Sequence, residues 1–307
     1  MAGRAPGPGD EAMSGTPENM ADRDIKEVGG ATTSVVTVSG VNKVFDTSGG
    51  RTNALEGIDL TINTGEFVSL IGPSGCGKST LLRLIGDLTA PTSGTVTVNG
   101  KPARQARLDR DYGIVFQAPV LFDWRSVLAN VALPLEVKGM PRRERDERVR
   151  AMLELVELRD FARHYPYQLS GGMQQRVSIA RALALQPSIL LMDEPFGALD
   201  EMTRERMNSE VQRIWQQTGT TVVFVTHSIP EAVFLSSRVV VMSPRPGRIV
   251  RVIDVDLPRP RTDDTRETAR YFELITEVRE TLRGRRAGER ADGVASAERT
   301  MAEGAVG

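Results

Sequence analysis

The chain has 307 residues, 40% of them hydrophobic and 26% charged, with a formal net charge of -1, the proportions of an ordinary globular protein with ample material for a core. That balance gives no electrostatic footprint for nucleic acid, and a single cysteine excludes an internal disulfide framework and fits a reducing compartment. No apolar run approaches the roughly 18 residues needed to cross a bilayer, and the N-terminus lacks a signal peptide's apolar stretch, so the expectation is a protein on the cytoplasmic side that meets a membrane only through partners.

Residues 1 to about 33 are rich in Gly, Pro, Ser and acidic side chains and have no hydrophobic period. They cannot bury enough surface to offset chain entropy and are expected to stay disordered. Order is expected from Ser34 to Val38, then in strands at Gly57 to Ile62, Glu66 to Ile71, Gly94 to Val98 and Tyr112 to Phe116, with Asn99-Gly100 as a turn. From Pro119 to Gln186 the pattern turns helical. Val149, Leu153 and Val156 recur at helical spacing within Arg142 to Glu157, and Ser170 to Leu185 reads as a second long helix.

Strands return at Ile189 to Met192 and Thr221 to Val225, continuous apolar runs of the kind expected for parallel strands buried on both faces. Between them Met207, Val211, Ile214 and Trp215 form one face of a connecting helix. Val239 to Met242 and Ile249 to Val255 supply the last strands, and a final helix from about Asp263 to Leu282 aligns Tyr271, Leu274, Ile275, Val278 and Leu282. The polar, Arg-rich remainder reads as a solvated tail. The expected organisation is a disordered segment 1–33, a domain 34–260 whose helical part spans about 118–186, a C-terminal helix 261–283 and a disordered tail 284–307.

The chemistry is concentrated in Gly72-Pro73-Ser74-Gly75-Cys76-Gly77-Lys78-Ser79-Thr80, which fits G-x-x-x-x-G-K-[ST]. Glycines at 72, 75 and 77 let backbone N–H groups face an anion, and the helix behind the loop adds the positive end of its dipole. Lys78 would reach the β- and γ-phosphates of a nucleotide, and Ser79 would place its hydroxyl on Mg²⁺. A glycine-rich turn that binds nothing would not need an apolar strand before it and a helix after it. Asp193, in Met192-Asp193-Glu194-Pro195 at the tip of a buried strand, is a candidate Mg²⁺ ligand. Glu194 could then polarise a water for in-line attack on the γ-phosphate. Ser170 is a good N-cap for the helix that follows, and with Gly171 and Gly172 it forms a second anion site that one nucleotide does not need.

Taken together and in this order, these segments resemble the ATP-binding cassette subunits of ABC transporters. The resemblance covers roughly residues 35 to 260. It makes Gly72 to Thr80 the Walker A motif, Gln117 the Q-loop glutamine, which also reaches the metal, and Leu169 to Arg176 the signature. Asp193 and Glu194 become Walker B with its catalytic glutamate. Gly197-Ala198-Leu199-Asp200 becomes the D-loop, His227 the γ-phosphate sensor and Phe45 the aromatic stacked on adenine. Met173 and Gly197 depart from the commoner glutamine and serine at their positions.

The implied fold is an α/β P-loop NTPase cassette with a RecA-like parallel-sheet core, an antiparallel β subdomain and an inserted helical subdomain. The implied assembly is a head-to-tail dimer of two copies, each binding ATP and Mg²⁺ between Walker A of one and Ser170, Gly171 and Gly172 of the other. His164 carries no motif and is taken as structural. Cys76, inside the phosphate loop with no base beside it, is expected to be an alkylation target and not a catalyst.

A finer resemblance rests on Pro195 to Asp200, Thr226 to Val233, Ser243 to Arg248 and Asp256 to Arg261. These are similar to importer cassettes of the nitrate, sulfonate and taurine group, which also serves vitamin precursors. It implies an ATPase on the cytoplasmic face of the cell membrane, bound to integral-membrane permease subunits and, through them, to an extracytoplasmic solute-binding protein, with no nucleic acid partner. Phe122-Asp123-Trp124-Arg125-Ser126-Val127 lies where such cassettes dock the permease, unless Phe122 and Trp124 fill the helical core. The alternative is the cassette of an exporter with separate membrane subunits. A DNA-repair relative would carry a long coiled coil between Lys78 and Asp193, which has no sustained heptads.

Overall fold

Short apolar strands separated by amphipathic helices fold into two sheets with helices around them. The computed structural model describes residues 33–47 and 50–284. The segments expected to be disordered, 1–33 and 284–307, lie outside the described residues except for Thr33 and Gly284.

In chain order the elements are β1 (Ser34–Thr47), β2 (Gly50–Asn63), β3 (Phe67–Ile71), α1 (Lys78–Ile85), β4 (Ser93–Val98), β5 (Lys101–Pro102), α2 (Ala103–Asp109) and β6 (Tyr112–Val115). The helices α3 (Val127–Val137), α4 (Arg142–Leu155) and α5 (Gly171–Leu183) follow and pack on one another. Next come β7 (Ile189–Asp193), α6 (Glu201–Thr218), β8 (Thr221–Val225), α7 (Ile229–Leu235), β9 (Arg238–Met242), β10 (Ile249–Asp254) and α8 (Ala269–Leu282). One sheet is antiparallel, ordered β2-β1-β4-β5; the other is ordered β10-β9-β3-β8-β7-β6 and is parallel except for β10.

Every residue of β3, β7 and β8 is buried. That explains why these strands read as unbroken apolar runs: helices cover both faces of a parallel sheet. Phe67, Phe196 and Phe224 pack ring against ring at its centre, with centroids 5.7 and 5.9 Å apart, and each such side chain contributes about 1.5–3 kcal/mol on burial. The tips of β3 and β7, where the loops 72–77 and 194–200 begin, are thereby held by the stiffest part of the molecule.

Four elements differ from the sequence reading. The first two strands are each 14 residues long, far beyond the segments at 34–38 and 57–62. Register shifts between Val38 and Val41 and between Val41 and Lys43 break the alternation that would have marked the strand. The helix α2 has only Ala103 and Ala106 buried, too little apolar surface to show a period. Before α8, Asp263–Glu267 is a separate 3-10 turn, because Thr268 donates to Thr265 O at 2.8 Å and accepts from Tyr271 N at 3.3 Å, ending one helix and capping the next.

Candidate nucleotide site

The loop from Gly72 to Gly77 joins the buried strand β3 to α1. At Gly77 the backbone has φ +107°, and a Cβ there would fall 2.6 Å from Leu55 Cδ2, so conformation and space both demand glycine. At Gly72 a Cβ would lie 2.8 Å from Cys76 Sγ and 2.9 Å from Met242 O. The first turn of α1 has no side-chain cap, which leaves its N–H groups for an anion. The Lys78 ammonium is almost fully buried and donates to Gly72 O at 2.9 Å and Pro73 O at 3.2 Å, spanning the loop from beneath.

Across from α1, the tips of β7 and β8 present the remaining polar groups. Ser79 Oγ donates to Asp193 Oδ1 at 2.6 Å. Glu194 has φ +47°, an uncommon conformation for a non-glycine residue and one that marks functional turns. Its N–H donates to Val225 O at 3.0 Å, which points the carboxylate toward His227, whose Nδ1 lies 3.4 Å from Glu194 Oε2. Ser79, Glu194 and His227 border an open cleft of about 390 Å³ that also takes in Ser74, Gly75, Thr80 and the half-exposed ring of Phe45, with Asp193 buried behind Ser79. Lys43 Nζ sits 4.7 Å from that ring's centre. A hydroxyl and one carboxylate at the foot of the cleft are hard oxygen donors, the partial set expected for Mg²⁺ completed by phosphate and water. Thr52, Ala54 and Arg245 also line the cleft. The sequence reading did not assign them to it; the only signal was the run Ser243 to Arg248.

The rest of the expected site lies elsewhere on the chain. Ser170 caps α5, accepting from Met173 N at 3.4 Å, and together with Gly172 it borders a different hollow of about 610 Å³ shared with Met202 and Thr203 of α6. No residue of the loop 72–80 lines that hollow. Gly171 is exposed at the start of the same helix. Asp200 caps α6 through Thr203 N at 3.0 Å, and that N–H with the Thr203 hydroxyl holds its carboxyl below the usual range. Gln117 is exposed outside the cleft, with its amide nitrogen 3.1 Å from where a Cβ at Gly197 would sit. Within one copy of the chain, therefore, Gln117, Ser170, Gly171, Gly172 and Asp200 do not line the cleft that the loop 72–80 borders.

One expectation changes, and one alternative is narrowed. Cys76 is only 1% exposed, its Sγ turned beneath the loop toward Gly72, so it is not the open alkylation target that its position suggested. Trp124 is 76% exposed, its ring tilted by 53° against that of Phe122 with centroids 4.9 Å apart, so it is not part of the helical core. His164 packs against Phe161 with ring centroids 5.1 Å apart and planes tilted by 53°.

The ABC transporter family model matches residues 55–197. The chain is 49% identical to an ABC transporter ATP-binding protein of Methanocaldococcus jannaschii, covering 78% of this chain and 90% of that protein. It is 49% identical to a taurine import ATP-binding protein of Rhizobium johnstonii, covering 76% and 90%, and 44% identical to a nitrate import ATP-binding protein of Synechocystis, covering 82% and 96%. Among solved structures it is similar to a dimeric bacterial ABC transporter cassette, with TM-score 0.63 and 39% identity over 72% of this chain and 98% of that one. A post-hydrolysis dimer of that cassette, bound to ADP and Pi, matches with the same TM-score at 38% identity and the same coverage. With a phosphate loop of this geometry on a P-loop NTPase fold, and relatives this close over most of its length, the chain belongs to the ABC transporter family, as its ATP-binding ATPase component.

Proposed function

We propose that this chain powers uptake of a small solute, an anion of the nitrate, sulfonate or taurine kind or a vitamin precursor, through a separate permease. Import is supported by the taurine and nitrate relatives. The cleft carries the hydrolytic reading: Lys78, Ser79 and the Glu194–His227 pair line one open volume, and the buried Asp193 stands behind Ser79, whose hydroxyl it accepts from. Amides of Gly72 to Thr80 and the Lys78 ammonium would hold the β- and γ-phosphates, and Phe45 would stack on adenine. Bound Mg²⁺, held by Ser79 and Asp193, would neutralise charge on the phosphates, and Gln117, outside the cleft in this structure, would have to move inward to reach the metal. Glu194 would take a proton from water as its oxygen attacks the γ-phosphorus and ADP leaves, with His227 holding the γ-phosphate and steadying the carboxylate.

Since Ser170, Gly171, Gly172 and Asp200 face away from this cleft, they would complete the site of a second copy in a head-to-tail dimer. The exposed Trp124 and its neighbour Phe122 would meet the permease at the cytoplasmic face of the membrane.

The experiment is phosphate release by the purified full chain with MgATP, alone and with its co-expressed permease. Glu194→Gln is expected to lower turnover about 10²–10⁴-fold while retaining ATP binding and accumulating dimer, because only the base is lost. Lys78→Ala is expected to lose binding. Near-parental hydrolysis by Glu194→Gln would refute the assignment of the base.

A further inference from the structure

The segment Ser243 to Arg248, which joins β9 to β10, is fastened to the phosphate loop. Gly247 N donates to Ala54 O at 3.0 Å, and Gly247 O accepts from Glu56 N at 3.0 Å. A Cβ at Gly247 would fall 2.0 Å from Cys76 O, so the segment can approach the loop this closely only with glycine there. Arg248 pairs with Glu56 at 2.7 Å, and Ser243 Oγ accepts from Arg248 N at 3.0 Å, closing the segment on itself. Its tip carries Arg245, whose Nε and Nη2 both donate to Gly75 O, at 3.2 and 3.0 Å.

Carbonyl and N–H of one trans peptide point in opposite directions. With Gly75 O held by Arg245, the N–H of the same peptide, that of Cys76, points across the loop to Pro73 O at 3.2 Å. The guanidinium thus fixes a peptide at the turn of the phosphate loop. It also borders the nucleotide cleft, and among the described residues no carboxylate lies within ion-pair distance of it. Lys78 meanwhile commits donors to Gly72 and Pro73 from below the loop.

We propose that Arg245 is a nucleotide-positioning residue: its fixed charge holds the phosphate loop open for a polyphosphate and adds to the attraction of Lys78. The inference rests on the nucleotide reading of the cleft. It separates the charge of Arg245 from its hydrogen bonds, because glutamine could keep a donor to Gly75 O without charge and lysine could keep both.

The test is calorimetric titration of the full-length chain with MgATP at low and high salt, beside steady-state ATPase kinetics, for Arg245→Gln, Arg245→Ala, Arg245→Lys and Lys78→Ala. Arg245→Gln and Arg245→Ala should weaken MgATP about tenfold, as losing one exposed charge-assisted contact does. They should raise KM with kcat within about twofold. Arg245→Lys should stay within about threefold of the parent, and the deficit of the neutral variants should shrink at high salt, where surface charges are screened. An unchanged Kd for Arg245→Gln overturns the charge role, as does a fall in kcat at constant KM. If the parent itself fails to bind MgATP, the reading of the cleft fails. If the parent binds, Lys78→Ala does not and Arg245→Gln matches the parent, only the present inference fails.

Discussion

Replacing Trp124 and Phe122 together by alanine separates a docking surface from a core. In the free chain Trp124 is 76% exposed, and its ring touches mainly Phe122. The backbone beneath is held independently: Arg181 donates to Pro119 O and Val120 O at 2.9 and 2.8 Å, and Asn130 both donates to Phe122 O at 3.1 Å and accepts from Phe122 N at 2.8 Å. Arg125 is tied to Glu136 at 2.6 Å. A pre-organised segment presenting an exposed indole costs little conformational entropy on binding, which favours a hot spot. Trp124→Ala should therefore shift isolated-chain stability by about 0.5 kcal/mol or less, as other exposed substitutions do. The half-buried Phe122 adds about 1 kcal/mol to the double variant, and at roughly 2–4 °C per kcal/mol for a domain of this size its Tm should fall by only a few degrees. In the complex, losing an anchoring tryptophan costs about 2 kcal/mol or more, a thirtyfold weakening of assembly. Differential scanning fluorimetry on the isolated chain, co-purification with the permease and ATP-driven uptake into proteoliposomes read the three quantities. A Tm drop above about 10 °C with intact co-purification would refute the docking argument.

Three further outcomes follow from the geometry. A maleimide should label Cys76 slowly in the native chain and rapidly after denaturation, since the thiol is 1% exposed beneath the loop; fast labelling of folded protein, read by mass spectrometry, would show that the loop opens. Gly77→Ala should destabilise by about 2–4 kcal/mol, from positive φ together with a Cβ placed 2.6 Å from Leu55 Cδ2, and should abolish ATP binding; a parental Tm in urea or heat would contradict the packing. Burial raises the Glu231 carboxyl above its usual range against the pull of the Thr226 hydroxyl, Arg204 and His227, with Glu201 adding to the rise. A carboxyl raised in the fold lends stability below its unfolded value and loses it as pH climbs through the folded one. The Tm of Glu231→Gln relative to the parent should therefore increase from pH 5 to pH 8, and a gap that is flat or falling would reject this.

What the sequence made legible depended on whether a residue's task is local. Gly72 to Thr80 could be read because a loop that wraps phosphates needs glycines and a lysine at fixed spacing, and β3, β7 and β8 because burial on both faces leaves an apolar run. The long bulged β1 and β2 were only partly legible, since their register shifts scramble the period on which strand reading depends. Arg245 was invisible as part of the cleft because its place there depends on Gly247 meeting Cys76, a contact between segments some 170 positions apart. Trp124 showed the converse: an aromatic in a helical stretch fits a core or a surface equally well until exposure decides.

The separation of the two half-sites has a structural basis that also suggests how they communicate. Arg204 of α6 donates to Phe196 O and Leu199 O at 3.4 and 2.8 Å, and it pairs with Glu201 at 2.9 Å. It thereby grips the segment running from Glu194, at the cleft, to Asp200, at the second surface. The same guanidinium acts electrostatically on Glu231, whose carboxylate accepts from the Thr226 hydroxyl, and that hydroxyl accepts in turn from Ser228 N at 3.0 Å. The Glu194 segment and the His227 turn are thus braced against one buried cluster. Behind that surface, the buried Gln175 of α5 donates to Phe116 O at 3.1 Å, linking the helix that begins after Ser170 to the residue before Gln117. One helix thus ties Ser170 to the residue before Gln117, and Arg204 ties the Asp200 end of its segment to the Glu231 cluster beside His227. Neither route requires the two half-sites of a single chain to meet, which is the arrangement expected if the second half is supplied by another copy.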